Sequence, residues 1–344
     1  MKKRKKKNRT AGIVIFSVCV GVLVLLLALA AVFVLLNLNK IDKVVEVSDV
    51  VPPEQEYFDA DATEQATDSD GTGPAETGTK VVSVQEIDWA EIEPFLDDDL
   101  INILLIGQDR REGQARQRSD SMILCSINPD TKQISMISFL RDLYVQIPGG
   151  YSDNRLNAAY AFGGFPLLCD TLFENFGVTV DGCFEVDFSG FENVIEQLGG
   201  VDVELTGREA QLVGVGAEAG VYHLDGRQAL SYSRIRKIDS DFGRTQRQRN
   251  VLQSIYEKFR TADVQTLMKL LGEILPYLST DMTNSQIMLL AAKCIPLLSA
   301  AELSSYRVPA DDAFYYATIR GMSVIVPDLE RIHEELENEY LPLG

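Results

Sequence analysis

The sequence predicts an α/β domain with a central, mainly mixed β-sheet flanked by helices, preceded by a single transmembrane helix. Three observations carry this prediction. Short apolar runs bounded by turn residues lie in the middle of the chain, helical patterns alternate with them, and a long uncharged apolar segment follows a basic N-terminal tail. The 344 residues leave ample chain for one large folded domain beyond that segment.

The first strands are predicted from three apolar runs, INILLIG at 101–107, SMILCSI at 121–127 and QISMISF at 133–139. The first two runs lack polar alternation, as strands buried on both faces do. The turn residues that begin at Asn128 separate the second run from the third, and they predict a hairpin.

Helical patterns are predicted at 156–162, 166–176 and 190–198, and a further strand at 199–205. Because strands and helices alternate along the chain, the helices are expected to cover the sheet.

The N-terminal segment predicts a membrane anchor. No charged residue lies between Ala11 and Asn39, and a helix of this length crosses a hydrocarbon core of about 30 Å. A cleaved signal peptide would carry an apolar stretch of only about 7–15 residues. We therefore expect an uncleaved signal anchor over 11–38, with the basic tail 1–10 cytoplasmic and the rest of the chain outside. A buried core helix is the alternative.

The charge distribution divides the remainder of the chain. Residues 41–100 hold eighteen Asp or Glu against two Lys, and the whole chain has a net charge of -19. This composition predicts a flexible acidic stalk over 39–95, with ends roughly 40 Å apart, and a folded domain over 96–344. Such acidity argues against a nucleic-acid partner, because a nucleic-acid binder needs a broad basic face.

The cysteines and histidines point to no familiar site. None of the five cysteines forms a CxxC or a zinc-ligand spacing, and the two histidines complete no Ser-His-Asp set. A disulfide between Cys169 and Cys183 would suit an extracellular domain, but their spacing leaves the pairing open.

Arginines are concentrated in one short stretch of this acidic chain. Residues 232–249 hold five arginines and one lysine, which suggests a discrete anion held in one pocket. A helix is predicted over 243–260. With residues about 100° apart, its inward stripe consists of Asp241, Arg244, Gln248, Val251, Leu252, Ile255 and Phe259.

Two arginines, Arg247 and Arg249, flank this stripe on either side. An arginine on a buried stripe is costly unless it meets an anion. A structural salt bridge is the alternative for any one of these arginines, and it is less plausible for Arg234, Arg236 and Arg244 together.

Carboxylates and arginines also collect at the ends of the predicted strands, where α/β sheets usually bind ligands. Asp109 follows the first strand and Asp120 precedes the second, with four arginines in the loop between them. The two carboxylates either pair with those arginines or hold a hard divalent cation such as Mg²⁺. Arg141 and Asp142 follow the third strand.

These residues lie in a series of motifs that resembles the LytR-CpsA-Psr family of cell-wall ligases. The motifs, in order, are NILLIGQDR, RSD at 118–120, SFLRDLYVQIPG, RLNAAYAFGG, VDFSGFENVIEQLGGVDV, HLDGRQALSYSRIR and SDFGRTQRQR. The closing stretch ATIRGMSVIVPDLERIHEELENEYL also resembles the family's last strand and helix. One departure is Leu140, where the family usually has proline.

The resemblance implies a transferase that works outside the membrane of a Gram-positive-type envelope. Such an enzyme takes a glycan polymer, such as wall teichoic acid or capsular polysaccharide, from an undecaprenyl-pyrophosphate carrier. It attaches the polymer as a phosphodiester to the 6-hydroxyl of N-acetylmuramic acid in peptidoglycan. A lipid-pyrophosphate hydrolase and a non-catalytic membrane-anchored regulator are the alternatives.

The resemblance also assigns the site residues. It implies Mg²⁺, or Mn²⁺, on Asp109 and Asp120. The residues implied to bind pyrophosphate are Arg118, Arg141, Arg234, Arg236, Arg244, Arg247 and Gln248. Arg244 is expected to act in catalysis with a carboxylate, Asp241 or Asp142, that accepts the acceptor sugar's proton.

The carrier lipid requires an apolar slot. Two richly apolar helical stretches, at 267–278 and 287–298, are expected to pack in the core, and the alternative is that they wall a lipid cavity.

Overall fold

The computed structural model describes residues 38–44, 80–87, 89–97, 99–108 and 117–344. The described strands are β1 (Asp42–Lys43), β2 (Lys80–Val81), β3 (Ile101–Gln108), β4 (Ser119–Asn128), β5 (Gln133–Phe139), β6 (Tyr144–Val145), β7 (Asn154–Arg155), β8 (Gly182–Asp187), β9 (Val201–Leu205), β10 (Gly220–Leu224), β11 (Ser279–Thr280), β12 (Glu302–Val308), β13 (Phe314–Ile319) and β14 (Met322–Pro327). The α-helices are α1 (Leu156–Phe176), α2 (Phe188–Gln197), α3 (Gly207–Val213), α4 (Gly226–Ser233), α5 (Asp241–Thr261), α6 (Val264–Ile274), α7 (Asn284–Cys294) and α8 (Leu329–Glu335).

The central sheet has seven strands in the order β1-β11-β8-β3-β4-β5-β12. The β3–β4, β4–β5 and β8–β11 pairs are antiparallel, whereas β3–β8, β5–β12 and β1–β11 are parallel. The predicted mixed sheet is thus confirmed. The predicted hairpin is confirmed as well, because the Asn128 side chain accepts from the backbone N–H groups of Asp130 and Thr131 across the β4–β5 turn.

One face of the sheet packs against α1 and the C-terminal α8, which together enclose the main core. The two helices predicted at 156–162 and 166–176 form one element with a kink at Gly164, whose φ of 65° is left-handed. This conformation explains the break in the sequence pattern, because a residue with a side chain rarely adopts it.

A smaller core lies beside the sheet and contains Val201, Leu224, Tyr232 and Val251. The strand predicted at 199–205 is present as β9, but it pairs with β10 in a separate two-stranded sheet. This small sheet and helices α3 and α4 pack on one flank of α5.

Strands β14, β13 and β2 form a separate three-stranded sheet. The predicted final strand and helix are confirmed as β14 and α8. Leu140 occupies the position where the family resemblance implies proline. Its side chain is buried and its backbone N–H donates to the Val308 carbonyl at 3.0 Å, a bond that proline could not make.

Parts of the predicted stalk belong to the fold. The 42–43 segment is the edge strand β1 of the central sheet, and the 80–81 segment pairs with β13. Trp89 and Phe95 pack against the cores. Residues 45–79 lie outside the described residues.

The predicted anchor lies almost wholly in residues 1–37, which are outside the described residues. Across the part of the chain that is described, no helix has the length and apolar character needed to cross a bilayer.

Cys169 and Cys183 are neighbours without a disulfide bond. Their Sγ atoms lie 3.4 Å apart, between α1 and β8. The structure therefore brings together the two thiols whose spacing left the pairing open.

Candidate functional site

A long apolar cavity of about 530 Å³ lies between the sheet and helices α2, α5, α6 and α7. Its walls are almost entirely hydrocarbon, with Ile106 and Phe184 on the sheet side and Ile255 and Phe259 on α5. A cavity of this kind takes a hydrophobic ligand, because filling it removes the ligand's apolar surface from water.

The apolar stretches at 267–278 and 287–298 form walls of this cavity. They are expected from the sequence to pack in the core, and the structure instead agrees with the alternative, a lipid cavity. The residues they contribute are Leu267, Met268, Leu271, Gly272, Ile274, Leu275, Leu278, Ile287, Met288, Leu290, Ala291, Cys294, Ile295 and Leu298. Most of these side chains are only partly buried. Their apolar surface therefore faces the cavity rather than a packed interior.

The polar groups that line the cavity include Asp120, Arg234, Arg236, Arg244 and Gln248. They come from the start of β4, the segment after α4 and the first turns of α5. The structure thus brings together residues that lie more than a hundred positions apart in the chain. An apolar cavity with arginines in its lining can bind a lipid that carries an anionic head group.

Arg244 is the most deeply buried of the arginines that line the cavity, with 3% of its surface exposed. Its Nη2 atom pairs with the Asp241 carboxylate at 2.8 Å and reaches the Asp120 carbonyl at 3.4 Å. Among the described residues, no hydrogen-bond acceptor reaches its Nε and Nη1 atoms. Burial lowers the pKa of Arg244, Asp241 opposes this shift, and the cations of Arg141 and Arg236 reinforce it.

A buried guanidinium that leaves two nitrogen positions without an acceptor is costly. The Oε1 atom of Gln248, one turn further along α5, is likewise buried without a partner among the described residues. The helical stripe predicted from the sequence is confirmed in five of its seven members, since Arg244, Gln248, Leu252, Ile255 and Phe259 line the cavity, whereas Asp241 is not part of the lining. Val251 instead faces the smaller core.

A chain of ion pairs extends from the cavity lining across the ends of β4 and β5. Arg141 Nη1 contacts Asp120 Oδ1 at 2.8 Å, and Arg141 Nε lies 3.5 Å from Asp142 Oδ2. Arg155 Nε lies 3.5 Å from the other oxygen of Asp142. Burial opposes the charge of Arg141, but Asp142, Asp241 and Asp120 outweigh it and raise the pKa of Arg141.

Asp241 is the first residue of α5 and lies beside this chain of ion pairs. Burial raises the pKa of its carboxyl group, although Arg244, Arg141 and Arg236 lower it in part. A carboxylate that holds its proton more readily than usual is suited to accept one during a reaction.

Two further predicted arginines take distinct positions near the site. The guanidinium of Arg234 lies over the ring of Phe188, 4.2 Å from its centre, which fixes its orientation by a cation–π contact. Arg118 is half-buried immediately before β4 and is not part of the cavity lining.

Arg247, predicted to bind pyrophosphate, points away from the cavity. It is 2% exposed, and its guanidinium contacts Glu209 Oε1 at 2.7 Å, the Ile235 carbonyl at 2.9 Å and the Asp239 carboxylate. Arg247 therefore forms a structural salt bridge, which is the alternative to binding an anion. The reason is the helical turn of about 300° over three residues, which places it a sixth of a turn from Arg244 and toward the smaller core.

The Arg249 side chain projects from α5 on the flank opposite to that of Arg247. Its Nε donates to Ser305 Oγ at 2.7 Å, and its Nη2 donates to Gln246 Oε1 at 2.6 Å. Burial and the nearby Arg307 lower the pKa of Arg249 to about 10.

The predicted metal site is described only in part, because Asp109 falls in residues 109–116, outside the described residues. Gln108, the last described residue before that gap, pairs with Ser119, the neighbour of Asp120. In the described ranges, no cluster of three or more His, Cys, Asp or Glu side chains suits a metal ion. The Asp120 carboxylate is partly exposed at the cavity and offers hard oxygen ligands.

Two residues of the site have no clear signal in the sequence. Glu185 is a buried carboxylate in the cavity lining and accepts a hydrogen bond from the Tyr160 hydroxyl. Phe188 supports Arg234. Both belong to a strand-to-helix stretch whose sequence indicates only local structure, so their roles depend on tertiary neighbours.

The LytR_cpsA_psr family model matches residues 57–338. The regulatory protein MsrR of Staphylococcus aureus is 36% identical over 200 residues, which is 56% of this chain and 60% of MsrR. The alignment thus spans less than two thirds of MsrR's length.

The polyisoprenyl-teichoic acid–peptidoglycan teichoic acid transferase TagU of Enterococcus faecalis is 30% identical over 252 residues, covering 72% of this chain and 80% of TagU. A solved structure of TagT bound to LIIa-WTA superposes with a TM-score of 0.58 at 26% identity, and the match covers 76% of this chain and 99% of TagT.

Proposed function

Because the chain belongs to the LytR-CpsA-Psr family, we propose that it transfers a glycan polymer from a polyprenyl-pyrophosphate carrier to peptidoglycan. Two similarities support this proposal: the relative TagU, named a teichoic acid transferase, and the structural relative TagT, bound to LIIa-WTA. The acceptor we propose is the 6-hydroxyl of N-acetylmuramic acid. The polymer would be a teichoic acid or a capsular polysaccharide.

The observation that carries the proposal is a buried, incompletely paired arginine in the lining of an apolar cavity. The cavity suits a prenyl chain, and Arg244 presents Nε and Nη1 without an acceptor among the described residues. Arg234 and Arg236 add two further cations in the same lining. A pyrophosphate needs such local cations, because the protein's net charge of -19 would otherwise repel it.

In the proposed reaction, the acceptor hydroxyl oxygen attacks the phosphorus that carries the glycan. A new phosphorus–oxygen bond forms, the bond to the bridging oxygen breaks, and the lipid phosphate leaves. Arg244, Arg234 and Arg236 stabilise the negative charge on the transferring and leaving groups. Catalysis of this kind depends mainly on positioning and charge neutralisation.

We assign the role of proton acceptor to Asp241 rather than Asp142. Asp241 pairs directly with Arg244, which lines the cavity, and burial raises the pKa of its carboxyl group. Asp142 lies between two guanidinium groups, those of Arg141 and Arg155. Both of its carboxylate oxygens are thus engaged by ion pairs.

Asp120, with Asp109 as a second ligand, would hold a divalent cation, Mg²⁺ or Mn²⁺. The ion would neutralise charge on the pyrophosphate oxygens. Arg141 holds Asp120 at 2.8 Å and so orients its carboxylate, leaving the other carboxylate oxygen for the ion.

We further propose that residues 1–10 are cytoplasmic, that residues 11–38 anchor the chain in the cell membrane, and that the remainder acts on its outer face. Arg118 and Gln248 complete the pyrophosphate contacts in this proposal, whereas Arg247 serves the structure of the domain.

The proposal is tested with the full-length protein in lipid vesicles, a lipid-pyrophosphate-linked glycan donor and peptidoglycan. Arg244→Ala should reduce polymer transfer by at least about a hundredfold, the loss associated with removing one preorganised charge-stabilising group. Arg260→Ala is the matched control, because Arg260 is exposed on the same helix and pairs only locally with Glu257. Near-normal transfer by Arg244→Ala would contradict the proposal.

The same assay separates the alternatives. A hydrolase would release free polymer or terminal phosphate at the same rate with and without peptidoglycan. A non-catalytic regulator would yield no product while still binding the donor. Only acceptor-dependent formation of a polymer–peptidoglycan phosphodiester agrees with the proposed function.

A further inference from the structure

The first described residues after the predicted membrane anchor are part of the central sheet. β1 runs parallel to β11, with Asp42 N–H bonded to the Leu278 carbonyl at 3.2 Å and Val44 N–H to the Thr280 carbonyl at 3.1 Å. The Lys43 ammonium donates to the Met282 carbonyl at 2.7 Å. The residues that directly follow the predicted anchor are therefore part of the folded domain.

Two side chains of this entering segment fill the space between the sheet and α7. Leu38 and Ile41 are 3% and 4% exposed and pack with Met282 and Ile287. Asn284 Nδ2 donates to Asn39 Oδ1 at 2.7 Å, which ties the start of α7 to the same segment. Leu38, at the end of the predicted anchor, is thus held in place against the domain.

Leu38 also lines the apolar cavity. Leu38 is also the last residue of the predicted anchor, which spans residues 11–38. One wall of the cavity is therefore close to the surface of the membrane that the predicted anchor crosses.

The helix beside this entry point also exposes a large apolar side chain, on a surface that it shares with the polar Ser285, Gln286 and Lys293. Leu289 is 61% exposed between Met288 and Leu290, which line the cavity. Ala292 and Pro296 are exposed at the helical spacing that continues from Leu289. We call Leu289 and Ala292 of α7, together with Pro296 in the 3-10 turn that follows it, the outer stripe of α7.

We propose that the outer stripe of α7 and the segment Leu38–Val44 rest on the outer surface of the bilayer, so that the cavity takes up its lipid directly from the membrane. This inference rests on the proposed function for the identity of the lipid. The occupant of the stripe is the membrane, because the protein's own apolar segment ends beside it. Exposed Lys293 next to the stripe would meet lipid phosphates.

The orientation is tested by fluorescence without any donor present. The single tryptophan, Trp89, is replaced by Phe, and a tryptophan is introduced by Leu289→Trp, by Ala292→Trp or, as a control, by Val221→Trp. Val221 is 70% exposed on β10, away from α7. The full-length variants are placed in phosphatidylglycerol vesicles whose acyl chains carry bromine, a contact quencher.

We expect strong quenching for Leu289→Trp and Ala292→Trp and little for Val221→Trp. Equal quenching of all three, or none, would overturn the orientation. If Leu289→Trp and Ala292→Trp show the expected quenching but the parent protein transfers no polymer, the proposed function is refuted and the orientation stays intact.

The route of lipid entry is tested by lengthening the tether. About 12 residues of Gly and Ser inserted between positions 37 and 38 would add roughly 20 Å of flexible chain. Transfer from a long-chain donor embedded in the membrane should fall, while transfer from a short-chain soluble analogue should not. The same insertion between Asp70 and Gly71 is the matched control. Unchanged transfer from the membrane donor would overturn the proposed route.

Discussion

Replacing Arg247 with methionine should strongly destabilise the domain, whereas the same replacement at Arg244 should leave its stability nearly unchanged. The two arginines lie one helical turn apart on α5 and are almost equally buried, at 2% and 3% exposed. They differ in their partners. Arg247 satisfies Glu209, Asp239 and a backbone carbonyl, whereas Arg244 leaves two nitrogen positions without an acceptor among the described residues.

The expected magnitudes follow from these contacts. Loss of Arg247 leaves the buried Glu209 carboxylate without its cation, and breaking a buried ion pair costs about 3–5 kcal/mol. For a domain of this size, that corresponds to a fall in melting temperature of about 6–20 °C. Loss of Arg244 removes a pair with the partly exposed Asp241, whose carboxylate keeps the nearby cations of Arg141 and Arg236, and it also relieves the burial of an incompletely paired charge.

The measurement is thermal unfolding of the full-length variants in detergent, with donor binding recorded in parallel. Arg247→Met should melt earlier and, below its transition, bind donor normally. Arg244→Met should melt within a few degrees of the parent and bind donor poorly. Equal destabilisation by the two substitutions would refute the division of roles along α5.

Three further outcomes are expected. Because burial raises the pKa of Asp241, polymer transfer should increase with pH as this carboxyl group ionises. In a pH–rate profile, Asp241→Asn should remove this increase, whereas Asp142→Asn should retain it. Leu271→Trp should fill part of the cavity and displace about two CH₂ groups of the prenyl chain, weakening donor binding about tenfold by calorimetry. Mild oxidation should join Cys169 to Cys183 in a disulfide bond, which peptide mass spectrometry would detect. The melting temperature should then rise, because closing such a loop contributes about 3 kcal/mol to stability. Cys169→Ser should show neither change.

Much of the fold and part of the site could be predicted from the sequence. The runs at 101–107 and 121–127 lack polar alternation because both of their faces are covered, and the run at 133–139 follows the Asn128 turn, which has its own local hydrogen bonds. The inward stripe of α5 followed from helical geometry alone, and the structure confirms Arg244 and Gln248 on it.

Other features depend on contacts between distant elements. The helical wheel shows that Arg247 lies beside the stripe, but its role is decided by Glu209, which lies 38 residues away on α3. The separate β9–β10 sheet is another example, because a local strand pattern does not specify its partner. For the same reason, apolar helices at 267–278 and 287–298 could not be divided between core and cavity wall before their neighbours were known.

The three directions taken by the α5 arginines restrict how this segment can change. Arg244 faces the cavity, Arg247 the smaller core and Arg249 the sheet edge at Ser305. Deleting or inserting one residue after Arg244 would rotate every later side chain by about 100° and exchange these three environments. The length of RTQRQR is therefore fixed, and homologous proteins should align through this stretch without gaps.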